Sequence, residues 1–179
     1  RDGYTEQKKA VVERFTREAK NLYPGRYKRQ ALRFARAEPE DTEALRRLAR
    51  ASEAHWGYDE AFMENFDAGF NVTEDFIRRN PVYAAGDCGC PAAFWGIRQD
   101  RDAWELEYFY VAEERLGRGL GKQMWEHMTG WCGKQEICRI HFVTSPQAVG
   151  FYRKMGAVRD GETRSPVDGR PVPHFVYDL

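Results

Sequence analysis

Hydrophobic positions along the chain recur first at helical and then at strand intervals, in an order that predicts strands and helices mixed around a central sheet. Val11, Phe15, Ala19 and Leu22 have helical spacing, and Pro24-Gly25 stops that segment. Leu32 to Arg36 alternates as a strand does. Glu38-Pro39-Glu40-Asp41 then reads as a helix start, with proline and acids in the first turn. Its apolar stripe continues through Leu45, Leu48 and Ala49 to about Ala54. His55-Trp56-Gly57-Tyr58 interrupts it, a second helix is expected from Asp59 to about Phe70, and Thr73 is placed to cap a third.

Three strands are expected next, over Val82 to Ala85, Ala92 to Ile97 and Trp104 to Val111, with Gly86-Asp87 and Asp100-Arg101-Asp102 as turns. A glycine-rich turn follows and opens a helix whose apolar positions Leu120, Met124, Met128 and Trp131 fall on one face. Arg139 to Val143 reads as another strand. Ser145-Pro146 starts a helix holding Ala148, Phe151, Tyr152 and Met155, and Gly156 stops it. A loop over Pro166 to Pro173 leads into a last strand, Val172 to Tyr177.

Composition narrows the classes of function. The 179 residues suit one domain, and 28 basic against 28 acidic residues leave no net field for a polyanion. With no long basic run, a nucleic-acid partner is not expected. No apolar run approaches the ~20 residues of a membrane span, and the polar opening from Arg1 to Lys20 does not read as a secretory signal. A cytoplasmic location is therefore expected. Of Cys88, Cys90, Cys132 and Cys138 only the first two are close, and one such pair lacks the second pair of a structural zinc site. Free thiols and no metal are expected.

The most informative segment runs from Val111 through Leu116-Gly117-Arg118-Gly119-Leu120-Gly121-Lys122. A strand enters a glycine-rich turn that opens a helix, so several backbone N–H groups point at one spot where the helix dipole adds positive potential. That is a site for a pyrophosphate. The spacing fits neither a nucleotide P-loop, since Lys122 is followed by Gln123, nor the dinucleotide fingerprint.

This run resembles the acetyl-CoA pyrophosphate loop of the GNAT superfamily of N-acyltransferases, Arg/Gln-x-x-Gly-x-Gly/Ala. Gly119 and Gly121 match the two small positions, and Leu116 stands where Arg or Gln is usual, with Arg115 or Arg118 available to compensate. Ser145 to Ala157 resembles the later motif Asn-x-x-Ala-x-x-Phe-Tyr-x-x-x-Gly-Phe, with Ser145 for Asn and Ala157 for Phe. The likeness covers about Ala31 to Leu179. It implies a GNAT domain over residues 31–179 preceded by a helical extension over residues 1–30. The implied α/β (α+β) fold is a mixed central sheet flanked by helices on both faces and splayed near the end of the Trp104 to Val111 strand.

The resemblance further implies transfer of an acetyl group from acetyl-CoA to a primary amine by direct attack. The reaction needs a base for the amine, a donor for the carbonyl oxygen and an acid for the leaving thiolate. Glu107, with Glu105 as the alternative, lies on the strand where family members carry the base, and period-two alternation puts both on one face. Tyr152 matches the family's general acid. Phe109 is implied to hold the thioester carbonyl through its N–H, the backbone of Tyr110 and Val111 to meet pantetheine, and Leu116 to Lys122 to hold the diphosphate. Ser145 is equally explained by the CoA arm and by N-capping. His55, Trp56, Tyr58 and Arg170 are candidates for the acceptor pocket. A small-molecule amine is the expected acceptor. A protein lysine or N-terminus is the alternative, and a non-catalytic CoA-binding module a third reading. Family members are often dimers, and the N-terminal helix offers surface for one.

Overall fold

The computed structural model describes residues 11, 14, 15, 32–87, 90–165 and 167–179. The chain divides into two compact units, Arg1–Leu32 and Arg33–Leu179. Of the first, Val11, Arg14 and Phe15 are described and are helical; the rest of the expected N-terminal helix lies outside the described residues, as does Cys88.

The second unit is a seven-stranded sheet in the order β1-β2-β3-β4-β5-β7-β6. The strands are β1 (Phe34–Arg36), β2 (Val82–Asp87), β3 (Cys90–Asp100), β4 (Ala103–Val111), β5 (Arg139–Val143), β6 (Val158–Arg164) and β7 (Pro171–Asp178). All neighbours pair antiparallel except β4 and β5. A parallel neighbour demands a crossover, and helix α4 (Leu120–Lys134) supplies it. The other helices are α1 (Thr42–Ala54), α2 (Glu60–Gly69), α3 (Glu74–Arg79) and α5 (Val149–Lys154). Asp59 and Thr73 cap α2 and α3 by accepting hydrogen bonds from the N–H groups of Phe62 and Phe76.

β3 is buried without interruption from Ala92 to Ile97 because helices cover both of its faces. Phe94 points to one side, where it meets Tyr108 and Tyr110 of β4 and joins a core with Leu45, Leu48, Phe62, Phe66 and Ile77. Trp95, its neighbour in the chain, points to the other side and packs near Trp131 and His127 of α4. α4 buries Leu120, Met124, Trp125, Met128 and Cys132 there, and each large side chain contributes roughly 1.5–3 kcal/mol. Trp131 itself is half-buried.

β6 has no counterpart in the strand pattern read from the sequence. It is an edge strand exposed over its whole length, Val158 to Arg164, so no residue had to be apolar and no alternation marks it. Among the described residues, no helix is long and apolar enough to cross a membrane.

Candidate active site

β4 and β5 pair only at Trp104↔Ile140 and Glu105↔His141. Beyond those pairs the strands part, leaving the β5-facing edge of residues 106–111 without a strand partner. The physical cause lies on the other side of β4. Gly96 of β3 faces Tyr108, but Ile97 faces Leu106, so Glu107 is an extra residue, a β-bulge. The bulge bends β4 and shifts its alternation. Tyr108 now faces Phe70 and Phe76 and Tyr110 faces Phe66, on the α2 and α3 side, whereas Phe109 faces Trp125, Phe151 and Tyr152 on the α4 and α5 side.

A cleft of about 670 Å³ opens where the strands part. Leu106, Glu107, Phe109, Tyr110 and Val111 of β4 line one wall, and Phe142, Val143, Thr144 and Ser145 the other. Tyr152 of α5 stands at its base. The start of α4 closes one end through Leu116, Gly117, Gly119, Gly121 and Lys122, with Arg115 beside them. Glu53, His55 and Trp56 from α1 and the turn after it, and Arg170 from the β6–β7 connection, also line the cleft.

The α4 end is a bed of backbone donors. Gly117 and Gly119 have φ of +67° and +85°, a left-handed backbone that an L side chain adopts at a cost. Gly121 comes so close to Phe151 that an added Cβ would sit 3.3 Å from its ring. Among the described residues, the N–H groups of Gly117, Gly119, Leu120, Gly121 and Lys122 have no protein acceptor. Five free N–H groups at the positive end of a 15-residue helix suit a polyanion. Leu120 itself is a core side chain, so it contributes backbone alone. Arg118 is exposed and does not line the cleft, and the Lys122 ammonium is 3.6 Å from Glu126 on the helix surface.

The two strand carboxylates occupy different places. Both reach Arg98 of β3. Glu105 Oε2 accepts from Nη2 at 2.7 Å, and Glu107 Oε2 lies 2.8 Å from Nε, off the axis of a hydrogen bond, as an ion pair. They share a face, as alternation predicts, but only Glu107 lines the cleft. Burial pushes the Glu107 carboxyl above its usual range, the Arg98 guanidinium pulls it back, and Glu105 pushes it up again.

Tyr152 is buried to 6% exposure, with the Thr144 side chain beside its hydroxyl. Burial holds the phenol well above its usual pKa, so it is protonated across the working range. Tyr110 is held up in the same way, by burial first and then by Glu53 and other neighbours. Ser145 precedes the 3-10 turn Pro146–Ala148 without making a side-chain cap bond, which removes the capping explanation for that residue and leaves its hydroxyl on the cleft wall.

His55 pairs with Glu113 at 3.1 Å and lies edge-on to Trp56, which is 38% exposed. Tyr58 does not line the cleft; its ring lies under the Arg170 guanidinium at 4.5 Å, and its hydroxyl donates to Gln147 at 3.3 Å.

Sequence reasoning missed Glu53 and Arg98. Glu53 lies four residues after Ala49 and eight after Leu45, on the buried stripe of α1, so helical periodicity carried the signal. Arg98 was reachable from the Arg101-Asp102 turn, whose register sets it opposite Glu105.

Residues 40–157 match the acetyltransferase (GNAT) family. No curated protein matches the chain significantly in sequence. Among solved structures, the chain is similar to the PaiA N-acetyltransferase of Thermoplasma acidophilum, crystallised in complex with coenzyme A. The identity is 19%, over 83% of this chain and 99% of that one, with a TM-score of 0.65. It is similar to a GNAT-family acetyltransferase of Streptococcus pneumoniae, at 18% identity over 83% and 99% and a TM-score of 0.64. A third such protein, from Staphylococcus aureus, has 15% identity over 83% and 99% and a TM-score of 0.62. At these identities the likeness is one of fold.

Proposed function

The chain belongs to the GNAT family of acetyltransferases, and from that premise we propose that it moves an acetyl group from acetyl-CoA to the primary amine of a small molecule. Residues 31–179 form the catalytic domain in this proposal and residues 1–30 an extension. The observation that carries it is the bed of unpartnered N–H groups from Gly117 to Lys122 at one end of a cleft whose base is Tyr152. The family, and a related fold solved with coenzyme A, support the choice of ligand.

The diphosphate rests on the N–H groups of Gly117 and Gly119 to Lys122, with Arg115 adding charge in place of the residue that Leu116 does not supply. The pantetheine arm runs along the free edge of β4 at Tyr110 and Val111, past Ser145. The Phe109 N–H donates to the thioester carbonyl oxygen as negative charge develops there. Glu107 takes a proton from the ammonium form of the acceptor, directly or through water. The amine nitrogen then attacks the carbonyl carbon, the C–S bond breaks, and the Tyr152 hydroxyl gives its proton to the departing sulfur, while the remaining extra proton on the nitrogen leaves the new amide and restores the phenol, directly or through solvent. Arg98 and Glu105 position Glu107 and do not touch the reacting atoms.

Two substitutions test the assignment. Tyr152→Phe and Glu107→Gln are expected to slow turnover by ~10²-fold or more, with binding of coenzyme A, followed by calorimetry, unchanged within about twofold. Full activity in both variants would remove these residues from the mechanism.

A further inference from the structure

Glu53 is a carboxylate in the cleft with no ion pair and no side-chain hydrogen bond among the described residues. It sits on the buried stripe of α1, where burial pushes its carboxyl up and the charge of Arg170 draws it down. Its own charge is felt by both Tyr110 and Tyr152. A desolvated carboxylate without a partner is costly unless something cationic completes it.

Arg170 is the complementary case. Its guanidinium lies across Tyr58 and Phe62, 4.5 and 4.9 Å from the ring centroids. Its Nε is buried, with Asp168 at 3.4 Å but no hydrogen bond. Contact with two rings holds the guanidinium in place, and beyond Asp168 no carboxylate among the described residues pairs with it, so its other N–H groups can take a planar anion. The same cleft has an aromatic wall, to which Phe62, Phe66, Phe70 and Tyr110 contribute.

We propose that Glu53 and Arg170 are the acceptor-recognition pair, and that together they take a small zwitterion of the amino-acid type. Its ammonium lies against Glu53, its carboxylate against Arg170 and its apolar side chain against the aromatic wall. This rests on the transferase reading above. A simple alkylamine brings no anion to the N–H groups of Arg170, a polyamine brings a second positive charge towards it, and a peptide N-terminus or protein lysine offers no carboxylate at that position.

The test uses the full chain and acetyl-CoA, with free thiol release as the signal. The acceptors are phenylalanine and leucine, the amines formed from them by decarboxylation, and a short peptide with a free N-terminus and a lysine. Phenylalanine or leucine is expected to exceed its decarboxylated counterpart by at least ~10-fold in kcat/KM. Arg170→Gln is expected to abolish that preference by raising KM for the amino acid, leaving the decarboxylated amine within about threefold. Glu53→Gln is expected to raise KM for every amine without changing the affinity for coenzyme A. Equal use of the two classes, preference for the peptide, or failure of the amino acids to be either acetylated or bound saturably by the CoA-loaded protein would overturn the inference. Loss of coenzyme A binding in the unsubstituted protein is a different result, and it would fall on the transferase reading instead.

Discussion

Arg98 Nε stands 2.8 Å from Glu107 Oε2, and Glu107 is the residue that the bulge adds to β4. One deformation thus parts β4 from β5, brings a carboxylate into the cleft and sets a guanidinium beside it. Burial drives that carboxyl up, and Arg98 is the principal influence holding it down.

The sign of an Arg98 substitution follows. Without the positive charge, Glu107 keeps its burial and its repulsion from Glu105, so its carboxyl titrates higher. In Arg98→Met the acid limb of the pH profile of kcat/KM is expected to move up, with turnover falling most at the acid end. An unmoved limb would mean that Glu107 is not the group that titrates.

Gly119 is the left-handed N-cap of α4, with φ of +85°. Gly119→Ala places a Cβ in that conformation, at a cost of about 1–2 kcal/mol, and the turn is expected to rotate to relieve it. The expected outcome is a lower Tm together with an affinity for coenzyme A weakened by ~10-fold, since the free N–H groups on either side move with the turn. Calorimetry reads both.

Gly96 is where the bulge is packed. A Cβ there would lie 3.1 Å from the Tyr108 ring and 3.2 Å from that of Phe76. Gly96→Ala is expected to cost about 1–3 kcal/mol by overpacking, and to lower kcat because Tyr108 is the chain neighbour of Glu107. Chemical denaturation and steady-state kinetics test the two effects separately.

Glu53 offers a stability test independent of turnover. Its folded pKa is raised by burial, so the neutral carboxyl is the form the fold favours. The cost of ionisation is absent below the unfolded pKa and grows as pH rises through the folded one. Glu53→Gln is accordingly expected to raise Tm at pH 7 by about 2 °C, with the difference vanishing near pH 4. A lower Tm at pH 7 would mean that the ionised carboxylate has a structural partner.

Much of this was legible in the sequence where periodicity and glycine chemistry coincide. The caps at Asp59 and Thr73, the turn into α4 and the helix carrying Tyr152 follow from local rules, and the family resemblance rests on the same residues. What was not legible depends on pairing across the sheet. The bulge at Glu107 arises from the register of β4 against β3, which is why strict alternation puts Phe109 and Val111 on the face of Glu105 while the fold turns Phe109 to the other side. β6 was hidden because an exposed edge imposes no pattern. The stacking of Arg170 over Tyr58 joins residues more than a hundred positions apart, which no local signal reports.

The account stands on the grip of the Gly117 to Lys122 turn on a diphosphate that aims a thioester at Tyr152. A crystal structure of the protein grown with coenzyme A tests it most directly. The account predicts the diphosphate oxygens within hydrogen-bond distance of the N–H groups of Gly119 to Lys122, and the sulfur within reach of the Tyr152 hydroxyl between β4 and β5. A coenzyme bound elsewhere, or one bound on the turn with its sulfur pointing away from the parted strands, would contradict it.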